Sequence, residues 1–170
     1  TTVIWSEGQH NVSVWVNDSA GNTNSSFVRF NIDTIYPKIS IAYPPNNTNS
    51  SNTGLNVNYT RSDTNLGSCW YSNDTYAVNT TLAGCVNITT VIWSEGQHNV
   101  TVWVNDSVGN INSSFVRFTI DTIAPAVSIV YPPNNTNTTD TGIDVNYTRS
   151  DSGTGVQSCW YSNDTYAVNT

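Results

Sequence analysis

The sequence predicts an all-β protein made of tandem antiparallel β-sandwich domains, and three observations predict it. The chain repeats itself: Thr89 to Asp151 copies Thr1 to Asp63 with scattered, mostly conservative changes. Each copy carries short runs in which apolar and polar residues alternate, the period of a strand with one buried face. Gly, Pro, Asn and Asp punctuate these runs at regular spacing, and no convincing helical period lies between them. The register is explicit, because Val3-Ile4-Trp5 returns as Val91-Ile92-Trp93 and Asp33 returns as Asp121, an offset of 121 − 33 = 88. Beyond Asp63 the second copy gains two residues, so Cys69 returns as Cys159 at an offset of 159 − 69 = 90, and such insertions belong in loops. A period of about 88–90 residues is too long for a solenoid rung and suits a small domain that buries its own core. Residues 1–32 then read as the C-terminal part of one repeat, 33–120 as a complete repeat and 121–170 as the N-terminal part of the next.

The elements of one repeat follow in order. Val12, Val14 and Val16 alternate with Asn11, Ser13, Trp15 and Asn17, and Val100, Val102 and Val104 repeat the pattern, which predicts a strand with the valines inward. Asn17-Asp18-Ser19-Ala20-Gly21-Asn22 reads as a hairpin turn, since glycine and asparagine accept positive φ. The returning strand, Phe27 to Ile32, is expected to bury Val28, Phe30 and Ile32. Asp33-Thr34-Ile35-Tyr36-Pro37 reads as the joint between units, because proline ends the pairing and stiffens a short linker. Strands are then predicted at Ile39 to Tyr43, Leu55 to Tyr59, around Cys69-Trp70-Tyr71 and at Val91-Ile92-Trp93, with a turn at Pro44-Pro45-Asn46-Asn47. About seven short strands per unit describe a sandwich of immunoglobulin type.

Charge excludes several partners. Only 10% of residues are charged, with a net charge of −7, against about 25% in an ordinary soluble domain. The basic residues are Arg29, Lys38, Arg61, Arg117 and Arg149, and none cluster, so nucleic acid and acidic membrane surfaces are not expected partners. No stretch approaches the ~18 consecutive apolar residues of a membrane span.

Cys69 and Cys85 lie 85 − 69 = 16 apart inside one repeat, whereas the position matching Cys85 in the next copy falls beyond Thr170 and leaves Cys159 single. A disulfide closing a loop of about 15 residues contributes roughly 3 kcal/mol, useful to so small a unit, and implies an oxidising, extracellular setting. The competing zinc or redox pair lacks CxxC spacing and a nearby histidine.

Asn-x-Ser/Thr sequons stand at Asn11, Asn17, Asn24, Asn46, Asn49, Asn58, Asn73, Asn79, Asn87, Asn99, Asn105, Asn112, Asn134, Asn137, Asn146 and Asn163. Between Asp33 and Ile120, nine of fourteen asparagines are sequons, while Ser plus Thr at 22 of 88 positions predicts three or four by chance. Composition alone therefore does not generate them. Ser13 becomes Thr101 and Ser51 becomes Thr139, swaps that keep the hydroxyl two residues after Asn. Strand phase places Asn11, Asn58, Asn99 and Asn146 opposite the buried valines, where glycans stand clear of the core. Sugar would keep a chain so poor in charge in solution and would shield strand edges from one another. An unmodified, solvated Asn/Thr/Ser surface is the plainer alternative.

At this point the residues carry a resemblance. Glu95-Gly96-Gln97-His98-Asn99-Val100-Thr101-Val102-Trp103-Val104-Asn105-Asp106, then Gly109-Asn110, Phe118-Thr119-Ile120-Asp121-Thr122 and Pro125, resembles the signature of prokaryotic Ig-like repeats. The turn Tyr131-Pro132-Pro133-Asn134-Asn135-Thr136 and the Cys69-Trp70-Tyr71 run followed by Cys85 resemble the version found in archaeal surface proteins. The resemblance spans nearly the whole chain. It implies an Ig-like fold and a place in cell-surface adhesins, stalks or giant surface proteins, and it says little more about function. It also implies calcium at joints between units, where Asp18, Asp33, Asp63, Asp106, Asp121 and Asp151 fall. Yet a hard cation takes six to eight oxygens, and along the sequence these acids stand isolated among asparagines, so turn and linker capping is their expected work.

No catalytic residue is expected. His10 and His98 are copies of each other and lack a nucleophile with a second histidine, so the chain reads as a non-enzyme, with His98 capping the core. No cofactor is expected beyond N-linked glycans, and no metal ligand set is assigned. A lysine–asparagine crosslink is excluded as a general device, since Lys38 becomes Ala126. Trp15 and Trp103 share the outward phase, Trp93 belongs with the core, and phase does not settle Trp70. The sequence thus predicts a structural, extracellular filament or stalk of glycosylated repeats. The alternative is an adhesin whose Trp15 and Trp103 face binds foreign carbohydrate. The expected partner is the chain itself, head to tail, with neighbouring filaments or cell-surface glycans as further contacts.

Overall fold

The computed structural model describes residues 2–163 and is all-β, with several antiparallel sheets. The strands are β1 (Gly8–Asn17), β2 (Thr23–Ile32), β3 (Lys38–Tyr43), β4 (Thr48–Ser50), β5 (Asn58–Ser62), β6 (Leu66–Asn73), β7 (Thr80–Thr81), β8 (Gly96–Asp106), β9 (Ile111–Ile120), β10 (Ala126–Tyr131) and β11 (Asn146–Ser150), with one 3-10 turn at Ala83–Cys85. No helix among the described residues is long and apolar enough to cross a membrane.

Residues 33–120 hold the one complete core. A five-stranded sheet runs in the order β4-β9-β8-β6-β7, and the β3–β5 pair lies over it. Val100, Val102 and Val104 of β8 and Val116, Phe118 and Ile120 of β9 point into the space between, where they meet Leu55, Val57, Tyr59, Trp93 and the Cys69–Cys85 disulfide. The alternation of β8 is the one its sequence predicts, with Trp103 and Asn105 on the other face. Its partner β9 returns through a turn built by Asp106, whose Oδ1 accepts the backbone N–H groups of Val108, Gly109 and Asn110. Gly109 takes φ 101° there, a conformation that side chains disfavour. One pairing departs from the antiparallel rule, because β4 lies parallel to β9, Thr48 against Phe118 and Ser50 against Ile120. The chain reaches it through the Pro44–Asn47 turn, where the Tyr43–Pro44 bond is cis and Asn47 takes φ 65°.

The two ends repeat these elements without the core. β1 and β2 pair in the register of β8 and β9, Val12 against Val28 as Val100 is against Val116. β10 and β11 pair as β3 and β5 do, down to the same irregularity, between Ile129 and Tyr131 in one and Ile41 and Tyr43 in the other. Among the described residues each hairpin stands as a two-stranded sheet with no layer packed over it. Val16 is therefore 65% exposed where Val104 is 0%, and Tyr147 is 46% exposed where Tyr59 is 5%.

Four expectations need correction. Val14, Val16 and Val28, expected in the core, are exposed because no described residue lies over the β1–β2 face. Val91-Ile92-Trp93 is not a strand: Trp93 anchors the segment, its backbone N–H donating to the Thr53 carbonyl and its indole to the Leu55 carbonyl, and Val91 packs against the core beside it. The strand expected over Leu55 to Tyr59 begins at Asn58, since Val57 makes only an isolated bridge with Ile88. Trp103, expected to be exposed, is half-buried because Trp70 on β6 stacks flat against it.

Candidate functional site: the sequon surface and the joints

The sequons spread over every face that the core does not claim. None of the sixteen asparagines is buried; only Asn58, Asn99 and Asn105 are half-buried and the others are exposed. The reason is the strand phase: Asn58 precedes buried Tyr59, and Asn99 and Asn105 alternate with the valines of β8. A glycosidic bond forms at Nδ2, so what each amide oxygen does matters less than what each nitrogen does. Asn46 and Asn105 use Oδ1 to accept the Arg117 and Ser68 backbone N–H groups, and Asn87 uses it for Tyr59. None of these three nitrogens donates a hydrogen bond to a described residue. Asn112 differs: its Nδ2 donates to the Pro37 carbonyl, holding the linker down, and a sugar there has to share that nitrogen with the joint.

The aromatic residues divide between the two faces. Trp93 is the core tryptophan, packed edge-on against Phe118 and tilted against His98. Trp70 and Trp103 lie on the outer face as a parallel stack, centroids 6.3 Å apart and planes within 7°, with Tyr76 edge-on to Trp103. That cross-strand pair was invisible in the sequence, because it depends on the β6–β8 register that sets Trp70 opposite Trp103. In the partial repeats Trp15, the counterpart of Trp103, is 71% exposed, and Trp160, the counterpart of Trp70, is exposed as well.

His98 is tied rather than poised. One ring nitrogen contacts the Ser94 carbonyl at 2.9 Å and the other the Asp74 carboxylate at 3.0 Å, while the ring packs under Trp93 and Phe118. Asp74 also accepts the Asn99 backbone N–H, so this acid, unremarked in the sequence, fixes the start of β8. Cys69 and Cys85 are bonded, with Cα atoms 5.1 Å apart, and Cys159 is free and exposed.

The joint gathers acids that the sequence left apart. Asp33, Asp63 and Asp106 bring one carboxylate oxygen each within 4.8 Å of one another. Oxygen-only donors and three negative charges have the hardness that calcium prefers. The chain's own N–H groups already occupy five of the six oxygens, however. Asn65 donates its backbone N–H to Asp63 and its side chain to Asp33, Ile35 donates to Asp33, and Asn110 with its neighbours donates to Asp106. Burial pushes the Asp106 carboxyl up, but the Asn110 amide and the N–H groups of Asn110, Val108 and Gly109 together hold it below the usual carboxylate range. The three oxygens that converge are fewer than the six to eight that calcium takes, and hydrogen bonds from the chain itself already knit the cluster into the joint.

The same joint recurs with a change. At Asp121 the Thr154 backbone N–H and hydroxyl replace the Asn65 amide, and they hold its carboxyl low. The two-residue insertion makes this fit, since a Cβ on Gly153 would lie 2.3 Å from the Asp121 side chain. Glu7 and Glu95 brace the two linkers alike, each accepting the backbone N–H and hydroxyl of Thr34 or Thr122. No protein-family model matches the chain, and no curated protein is significantly similar to it.

Proposed function

We propose that the chain is a structural, extracellular protein: a tandem array of Ig-like repeats, coated with N-linked glycans, that forms a cell-surface filament or stalk. The observation that carries this reading is the coincidence of two patterns. Sequons exceed chance within the complete repeat, and none of them falls on a buried position. The disulfide between Cys69 and Cys85 supports an oxidising compartment. Linkers pinned by Asp33, Asn110 and Pro37 support a stiff connection between successive units, as a stalk requires. The units then run head to tail along a non-closing array. Archaeal surface proteins are the class that the motifs resemble.

Enzymatic removal of glycans from native material tests this. The expected result is a loss of solubility with the β-sheet signal and thermal midpoint nearly unchanged, because the packing residues lie on the opposite face of each strand. Material whose solubility and mass are untouched by the treatment contradicts the glycan coat.

One observation favours a second reading, an adhesin for foreign carbohydrate. The Trp70–Trp103 stack and exposed Trp15 are flat aromatic surfaces of the kind that sugars stack on. A glycan array separates the two, since an inert filament binds nothing and an adhesin loses binding in Trp15→Ala and Trp103→Ala variants.

A further inference from the structure

The outer face of the five-stranded sheet is dry at a place where a sheet face is expected to be wet. Ser72 on β6 and Thr101 on β8 stand opposite each other on that face, yet they are 1% and 8% exposed. Trp70 and Trp103 are the neighbouring pair along the same two strands, and Tyr76 lies edge-on to Trp103 while its hydroxyl accepts from Thr101 Oγ1 at 3.4 Å. The two indole planes are within 7° and their centroids 6.3 Å apart. Atoms in van der Waals contact lie about 3.5 Å apart, so the rings are slid past each other and neither covers the whole face of the other. Both indoles are half-buried, and Tyr76 is exposed.

A sequon stands beside this patch. Asn105 follows Trp103 by two residues on β8, so both side chains rise from one side of the sheet about 7 Å apart. It opens the sequon Asn105-Asp106-Ser107. Its Oδ1 accepts the Ser68 backbone N–H at 2.6 Å, and a Cβ on Gly67 would lie 2.8 Å from that oxygen, so a bare glycine makes room for an amide held against β6. Opposite Asn105 on β9 is exposed Ile111. Asn99 shares the face, but Thr101, bonded to Tyr76, lies between it and Trp103. Asn105 is thus a glycan acceptor with its amide fixed in place, two residues from a flat, incompletely covered indole.

We propose that the first pyranose of an N-linked glycan on Asn105 packs its C–H face on Trp103, so that the aromatic patch is covered by the chain's own sugar and not by a foreign one. The proposal rests on the glycosylation reading above. Both occupants have the same chemistry, since a pyranose presents a face of C–H groups whose partial positive charge suits the electron-rich face of an indole. What separates them is the cost of arrival. A free sugar gives up translational and rotational freedom on binding, whereas a sugar joined to Asn105 has already lost most of it. Tethering supplies an effective concentration on the order of millimolar or higher, enough to populate a single weak contact. The docked sugar in turn screens two indoles on a chain that has few charges to hold neighbouring copies apart.

The test uses the full 170-residue chain, made in a host that glycosylates sequons. Ser107→Ala removes the acceptor hydroxyl of this one sequon and leaves Asn105, with its hold on Ser68, in place. Loss of the Asn105 sugar in that variant should lower the thermal midpoint of residues 33–120 by about 4–8 °C, the size of one aromatic contact in a domain of this length. In a Trp103→Leu background, which keeps apolar bulk and loses the flat ring, the same removal should lower it by less than half as much. Ser51→Ala strips Asn49 on edge strand β4 and should have the same effect with either residue at 103. In spectra of labelled glycan, the C–H protons of the first sugar on Asn105 should move upfield, as protons above an indole do, and return in Trp103→Leu. A midpoint and sugar signals indifferent to residue 103 overturn the proposal, as does a free oligosaccharide that binds through Trp103 while the Asn105 sugar is in place. Sugar at other sequons with none at Asn105 sinks this contact alone, whereas sugar-free peptides at every sequon sink the glycan coat with it.

Discussion

Val104→Asp is expected to unfold the central unit, and Val16→Asp, the same substitution in the other copy, is expected to leave it untouched. Val104 sits fully buried on β8 among Cys69, Val102 and the β9 side chains, and the donors of the core cluster, the Trp93 indole and the Tyr59 hydroxyl, are already committed to the Leu55 and Val86 carbonyls. A charge placed there without a partner costs at least several kcal/mol, comparable to the whole stability of a domain of this size. Val16 faces solvent on β1, so its aspartate keeps its water. Circular dichroism melts of the two variants check the contrast. Equal destabilisation by both would mean that the two copies share one environment, contrary to the fold described.

The second large effect is expected at the disulfide. Cys69 reaches from β6 to Cys85 at the end of the 3-10 turn, and the bridge ties the loop bearing Val86, Asn87 and Ile88 to the core. That loop supplies the Val86 carbonyl that accepts the Tyr59 hydroxyl and the Asn87 side chain that accepts the Tyr59 backbone N–H. Replacing both cysteines by serine should cost roughly 3 kcal/mol by the chain-entropy argument. At about 4–8 °C per kcal/mol for a domain of this length, the midpoint should fall by about 12–24 °C. A midpoint within a few degrees of the parent would show that hydrogen bonds alone hold the loop. Cys159→Ser, by contrast, should leave the midpoint where it is, because that thiol is exposed and outside any disulfide.

What the sequence made legible was whatever has a short period or a fixed offset. The alternation of Val100, Val102 and Val104 located β8 and its buried face, and the intra-repeat spacing of Cys69 and Cys85 located the disulfide. The Asn-Asp…Gly-Asn run located the β8–β9 turn, where Asp106 caps three N–H groups. Contacts that depend on register between distant segments were not legible. Nothing local links Trp70 to Trp103, Asp74 to His98, or Asp33 to Asp63 and Asp106, and each pairing exists only because strands far apart in the chain lie side by side. The apolar run Val91-Ile92-Trp93 looked like a strand because a buried tryptophan carries the same composition as one. In the event a single anchored side chain, without a ladder, was enough to bury it. Alternation also misled at Val14 and Val28, since a pattern reports which face seeks cover and not whether cover is present.

The glycan coat is the part of the account on which function turns, and glycopeptide mapping of native material tests it most directly. Asn11, Asn58, Asn99 and Asn146 decide the matter, because strand phase sets each opposite the core-facing residues and none of the four is buried. The account predicts hexose-bearing peptides at most of the sixteen sequons and at these four among them. Sugar-free peptides at all four would contradict it.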